Sequence, residues 1–319
     1  MAQDRAMNDN GHAARGGVAV ALASAIIYSG VSVLAKFAYR YQLTPLQLLK
    51  ERYVIAAIVL TVIIGLSNWR LLIPRSWREA GIMFLFSAVF VTGPTLLYFM
   101  AVQLLPVSTA MFLFHCYPVF AGLFAWLILH EHITRTYVVS VAIIAIGLVL
   151  LLGATFRSVS ARGVWTMLAC TVAYGLFAVL SQHVAKGADP RTLGLFNQVA
   201  PALVLCLLTA GEPVLYPVVF NSRTSLLAFA GIGLSAAGGM FLFVQGIAMI
   251  GAQRAAIIDS LEPLLSSVYA LLLLGERMKP VALLGGLCIV AGVIVGSLPA
   301  RTTLDQPRGQ PTGKGIGRR

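Results

Sequence analysis

The residues best suited to chemistry in this chain are few, and they stand inside apolar runs. Asp259 and Glu262 are three positions apart, share a helix face and directly precede Pro263. An ionisable side chain within a membrane span costs about 2.5–3.5 kcal/mol on insertion scales, so it faces a cavity or a partner. At least one of the pair is read as binding a cationic group or a coupling proton. The competing reading pairs Glu262 with Arg52 or Arg254 across a helix interface. Pro263 frees a backbone carbonyl where a helix can break. Tyr28, Ser32 and Lys36 recur every fourth residue and form a polar stripe. There Lys36 either attracts an anionic group or extends to the lipid headgroups.

His115 and Tyr117 precede Pro118. Imidazole changes charge near neutrality, which suits a proton-linked role, and it also serves as a hydrogen-bonded packing residue between helices. Lys50, Glu51 and Arg52 fall in the first turns of another span, where interfacial charge is the ordinary reading and Glu51 suits the helix N-terminus. Tyr98, Tyr174, Gln198 and Gln245 complete the candidate cavity residues, with Asn197, Gln103 and Tyr269 as further polar groups in or beside spans. In bundles such groups also serve as interhelical hydrogen-bond partners or as packing.

Several chemistries are excluded. His130-Glu131-His132 is not a zinc-protease motif, because Thr134 stands where the second histidine is needed. There is no phosphate-binding glycine loop ending in Lys-Ser or Lys-Thr, so the chain encodes no ATP-driven pump. Cys116, Cys170, Cys206 and Cys288 lie in apolar runs and form no CxxC pair, which predicts free thiols and neither a disulfide framework nor a zinc site. No cofactor, catalytic residue or metal site follows from any motif.

These side chains must be positioned by helices in lipid. Of 319 residues, 59% are hydrophobic and only 11% charged, against about a quarter charged in a soluble domain. Mean hydropathy is +0.87. A soluble enzyme, a disordered protein and a nucleic-acid-binding domain are excluded. The net charge of +12 draws on a tail, residues 299–319, that carries Arg301, Arg308, Lys314, Arg318 and Arg319 and is rich in Pro, Gly, Thr and Gln. That composition predicts a disordered segment beside anionic lipid. A span needs about twenty apolar residues. Ten are expected, near 17–38, 46–66, 80–101, 107–129, 137–153, 163–184, 192–209, 226–248, 254–274 and 281–298, after a polar tail at 1–16. The fold class is an all-α integral membrane protein, since long apolar runs without period-two alternation are helices and not barrel strands.

The second half echoes the first. A shift of 145 places Pro118 on Pro263, Glu131 on Glu276 and Gly147 on Gly292, and a shift of 146 places Tyr28 on Tyr174. Glu131 and Glu276 are read as structural, each tying a short loop. Each copy, 17–153 and 163–298, contains five spans, and an odd number inserts the second copy upside down. Two inverted repeats are a pattern of secondary transporters, with substrate at the midplane between them. Gly292 and Gly296 form a GxxxG pair, read as a helix contact within the chain, with a homodimer left open.

The stretches VSTAMFLFHCYPVFAGLFAWLILHEHIT and RAAIIDSLEPLLSSVYALLLLGERMKP resemble the end of the EamA repeat of the drug/metabolite transporter superfamily. YSGVSVLAKFAYRYQLTPLQLLKERY resembles its start, with a Lys in the first span, a Pro opening the second and then an Arg. The resemblance covers roughly 17–298. It departs at His130, where the second copy has Gly275, and at Tyr117, where it has Glu262. It implies ten helices, both termini cytoplasmic, and export or exchange of small metabolites. Positive charges in the loops favour that orientation modestly.

The expectation is thus a secondary transporter in the inner membrane, exporting an amino acid or related compound by alternating access. The expected partners are a small-molecule substrate and the bilayer, with proton coupling left open. Two alternatives remain: a multi-span enzyme acting on a lipid-linked substrate, and a non-transporting sensor or channel.

Overall fold

The computed structural model describes residues 2–130, 133–155, 159–185, 189–250 and 258–297. Among these every regular element is a helix. The helices, numbered in chain order, are α1 (Ala2–Ser29), α2 (Val31–Tyr39), α3 (Pro45–Asn68), α4 (Trp77–Phe90), α5 (Thr92–Leu104), α6 (Val107–Phe114), α7 (Tyr117–Leu129), α8 (Arg135–Thr155), α9 (Ala161–Ala185), α10 (Pro190–Leu208), α11 (Arg223–Ile250), α12 (Glu262–Tyr269) and α13 (Pro280–Ser297). The first helix begins in the polar stretch that the sequence reading set apart as a tail.

Eight helical stretches are long and apolar enough to cross a membrane: Gly16–Tyr39, Pro45–Leu72, Trp77–Leu104, Val107–Leu129, Arg135–Gly153, Ala161–Ser181, Arg191–Leu208 and Arg223–Phe243. Glu262–Leu274 and Pro280–Gly296 are apolar but shorter. These ten stretches follow the expected order, although the last two fall short of the length a full crossing needs. Residues 251–257, the start of the ninth expected span, lie outside the described residues, as do Glu131, Arg254 and the tail. Leu66, Leu207 and Leu272 are exposed, as lipid-facing side chains are. Exposed Trp69 and Trp77 at one end of the bundle and Trp165 at the other stand where an interfacial aromatic belt forms.

Four spans are interrupted. The first breaks at Gly30, the third at Val91, the fourth at His115–Cys116 and the ninth at Ser260–Leu261. Such breaks persist at membrane depth where protein re-satisfies the backbone. Ser266 Oγ does so at the first, donating to the Ser29 carbonyl at 2.8 Å.

Connections collect at two ends. At one, Tyr41 OH meets Ser222 Oγ at 3.2 Å, Lys36 Nζ donates to the Gln103 carbonyl at 3.4 Å, and Val107 N donates to Glu276 Oε2 at 2.8 Å. Glu276 thus joins two loops, in the structural role read from its sequence position. Burial holds its carboxyl above the usual range, with the bond from Val107 pulling the other way. At the opposite end Thr192 Oγ1 donates to the Leu71 carbonyl at 2.9 Å.

The positions aligned by the 145-residue shift are alike in backbone. His130 after α7 has φ 57°, and Gly275, which ends the helical turn after α12, has φ 69°. The left-handed conformation costs a non-glycine residue about 1–2 kcal/mol, partly offset by the entropy glycine loses on folding. His130→Gly is therefore expected to stabilise the protein by about 0.5–1 kcal/mol, and Gly275→Ala to destabilise it by about 1 kcal/mol. Thermal unfolding in detergent reads both, and a lower melting temperature for His130→Gly would contradict the assignment.

Lys50 and Glu51 correct the sequence reading. They are not open to the headgroups or to water: each is only 1% exposed. The segment between α10 and α11 folds back over the first turns of α3. Lys50 Nζ donates to the Pro213 carbonyl at 2.8 Å and sits 4.4 Å from the Tyr216 ring centre. Glu51 accepts from Tyr216 N, and Glu212 accepts from Tyr216 OH and, at 3.5 Å, from Gln47 Nε2. A loop read only as punctuation is a strap tied by buried charge. Removing the cation leaves Glu51 buried without its nearest positive charge. Lys50→Met is expected to cost on the order of 3 kcal/mol, and an unchanged melting temperature would show the strap to be incidental.

Candidate functional site

A cavity of about 290 Å³ lies among the interrupted helices. Its walls come from both halves of the chain and from the middles of the spans. Tyr28 (α1), Arg52 (α3), Tyr98 (α5), Tyr117 (α7), Tyr174 (α9), Gln198 (α10), Asp259 (just before the Ser260–Leu261 break) and Glu262 (α12) all line it. The structure therefore brings together eight of the twelve side chains singled out from the sequence.

The other four divide. Ser32 lies behind the wall: its hydroxyl bonds that of Tyr98, and both reach Met111 Sδ, at 3.1 and 2.9 Å. It positions the Tyr98 ring. His115 is buried beside the cavity, with Nε2 3.9 Å from Glu262 Oε2. Lys36 lies two turns beyond Tyr28, past the Gly30 break, and points to Gln103 at the end of the bundle. The stripe is thus cut, and Lys36 does not line the cavity. Gln245 on α11 does not line it either; Phe243 does.

The polar groups are arranged by charge. Arg52 Nε and Nη1 are buried and have no hydrogen-bond partner among the described residues. The guanidinium lies over the Tyr53 ring at 4.8 Å, a cation–π contact that holds the plane and leaves edge donors free. No described salt bridge joins Arg52 to Glu262, and Arg254 lies outside the described residues. Gln198 Oε1 is likewise buried and unpartnered. Its neighbour Asn197, which also lines the cavity, accepts from Ser87 Oγ at 2.8 Å. Aromatic rings make up much of the remaining wall. Phe114 lies 5.2 Å from Tyr98 and 4.9 Å from Tyr174, both edge-on, and Tyr174 lies 4.9 Å from Tyr117. Edge-to-face contacts lock these rings in the wall of the hollow.

Prolines follow three of the four breaks, and a fourth proline lies inside α10. Pro118 and Pro263 sit at the second positions of α7 and α12. Pro94 follows the break at Val91, and Pro201 lies within α10. A proline cannot donate to the carbonyl four residues earlier. Those four residues are Phe90, Phe114, Asn197 and Asp259, and every one lines the cavity. The sequence reading used Pro118 and Pro263 but missed Pro94 and Pro201, and with them Phe90, Phe114, Tyr53, Thr95, Phe99 and Phe177. Counting four back from each in-span proline would have found the first two.

A hollow walled by aromatic rings, with cationic and anionic side chains in its lining, inside a bundle of apolar helices, marks a multi-pass helical membrane protein with an internal cavity. The chain belongs to the EamA-like transporter family, whose model matches residues 15–153 and again 161–298. It is a membrane transporter. An uncharacterised transporter of Clostridium kluyveri is 26% identical over 284 residues, 86% of this chain and 90% of the relative. Another from Synechocystis is 25% identical over 227 residues, 68% of this chain and 65% of the relative. A crystal structure at 18% identity has the same fold, with a TM-score of 0.63 over 88% of this chain and 96% of that one.

Proposed function

We propose that the protein exports a small zwitterionic metabolite, an amino acid or related compound, across the cytoplasmic membrane by alternating access. The observation that carries this is the pairing, in one mid-span cavity, of free Arg52 donors with the Asp259 and Glu262 carboxylates. Arg52 suits a substrate carboxylate, which it grips through parallel N–H donors. The carboxylates suit an ammonium group. The rings suit the apolar body between the two. Asp259 and Glu262 also remain candidates for carrying a coupled proton.

The moving parts are two inverted five-helix halves, 17–153 and 163–298. One family model matches both stretches, and the left-handed residues at 130 and 275 support a shared local structure. Rocking of one half on the other would open the cavity to each face in turn. In this reading both termini lie on the cytoplasmic side of the inner membrane, an orientation that the loop charges favour modestly. Thiols engineered at 131 and 276 are then labelled from opposite sides, and labelling from one side would end the inverted arrangement. The substrate reading is tested by a stabilisation screen on detergent-purified protein, since a ligand at 100 times its Kd adds about 2.7 kcal/mol. Hits are then assayed for counterflow in proteoliposomes. Failure of every zwitterion in both assays would reject this substrate class.

A further inference from the structure

Three side chains, two in the cavity wall and one buried just behind it, lie close together in a way that a zwitterion alone does not explain. One ligand atom each from His115, Asp259 and Glu262 lies within 4.8 Å of the others. The imidazole is 3% exposed. Its Nδ1 lies 2.9 Å from the Met111 carbonyl, which can only accept, so Nδ1 carries the proton. In the neutral ring Nε2 then presents a lone pair. That lone pair faces Glu262 Oε2 across 3.9 Å, too far for a hydrogen bond. Two acceptors at this separation, with a second carboxylate beside them, repel unless a proton or a metal cation lies between them.

The backbone adds to this. Asp259 and Phe114, next to His115, have carbonyls that Pro263 and Pro118 leave without their usual helical donors. Neither Asp259 nor Glu262 makes a hydrogen bond to any other described residue. We propose that His115, Asp259 and Glu262 bind one divalent transition-metal ion of the Zn²⁺, Mn²⁺ or Co²⁺ class. Imidazole with two carboxylates is a donor set for such ions, whereas Na⁺, Mg²⁺ and Ca²⁺ prefer oxygen alone. Ligand atoms about 2.1 Å from a tetrahedral metal stand roughly 3.4 Å apart, so a small inward turn of the carboxylates completes the set. The Met111 bond fixes the imidazole orientation, as second-shell partners of metal-bound histidines do. The ion balances the two carboxylates in place of a substrate ammonium, so that the solute's amino group meets them as a neutral amine ligand of the ion while Arg52 meets its carboxylate. Its open positions take water or a donor atom of the solute. The purpose of the ion rests on the transport reading; its binding does not.

The test uses the full chain, purified in detergent with an affinity tag that contains no histidine. Co²⁺ alone is titrated and followed by calorimetry and by its visible absorption. One site per chain is expected, with a d–d band at low coordination number, competed by Zn²⁺ but not by Ca²⁺. His115→Gln and Glu262→Gln are each expected to weaken Co²⁺ at least about 10-fold. Both variants are first shown monodisperse with unchanged helical circular dichroism. His115→Asn, whose amide nitrogen takes the place of Nδ1 at the Met111 carbonyl, stands in if the glutamine does not fold. No binding to the folded wild type overturns the proposal, as does binding that survives both substitutions. Stabilisation by amines without any Co²⁺ binding also overturns it and leaves an ammonium group as the occupant. Binding without counterflow of any solute supports the site and counts against the transport reading instead.

Discussion

Glu262→Gln and Asp259→Asn are expected to reduce zwitterion counterflow in proteoliposomes by about 10- to 100-fold while the protein folds normally. A hydrogen bond to a charged group is worth about 1.5–3 kcal/mol, and each 1.4 kcal/mol is a factor of ten. The amides keep the shape and lose the charge. Folding is spared for a local reason: neither carboxylate has a described hydrogen bond to lose, and the like charges beside each other are relieved. The melting temperature should hold or rise as transport falls. Arg52→Gln is expected to act from the other end of the cavity, with losses of similar size. Substrates lacking a carboxylate distinguish the two ends, because they should be indifferent to Arg52→Gln and still sensitive to Glu262→Gln. Full counterflow in both carboxylate variants would remove these residues from the binding site.

How much of this was legible in the sequence follows from what each signal depends on. Apolar run length depends only on the bilayer, so the order of spans was readable, and the two short helices at Glu262–Leu274 and Pro280–Gly296 are where that signal was weakest. Intramembrane charge is costly wherever it falls, so Asp259 and Glu262 stood out, whereas Arg52 passed with Lys50 and Glu51 as interfacial charge and was raised only by the family resemblance. The stripe of Tyr28, Ser32 and Lys36 assumed one unbroken helix, and the break at Gly30 separates Lys36 from the cavity. Lys50 and Glu51 misled because the segment that buries them lies more than 160 residues away in the chain. No local pattern carries that information. The aromatic wall was illegible for a different reason: Phe114 and Phe177 are ordinary residues for a bundle, and only tertiary packing turns them to the hollow.

The packing of α8 against α13 gives the largest expected effect on stability. A Cβ on Gly147 would lie 2.6 Å from the Gly285 carbonyl oxygen and 2.8 Å from Ile289 N. One on Gly285 would lie 2.5 Å from Leu151 N. These are backbone atoms of helices in contact, so no side chain can swing away. Ser140 Oγ donates to the Gly292 carbonyl at 2.7 Å and closes the same seam, and a Cβ on Gly292 would lie 2.6 Å from Ile144 Cγ1. Gly292 and Gly296 thus pack against Ser140 and Ile144 within the chain. In a helix Gly→Ala is intrinsically favourable by about 0.5–1 kcal/mol. Gly153 lies on α8 with open space around its Cβ direction, so Gly153→Ala should raise the melting temperature. Gly147→Ala should lower it, at a cost of about 3 kcal/mol or more, because overpacking here must separate two helices. The opposite signs on one helix make the test independent of propensity, detergent and expression level. If Gly147→Ala stabilises the protein as Gly153→Ala does, α8 and α13 do not meet at this distance. The first half of the chain would then be held to the second by less than its closest helix contact.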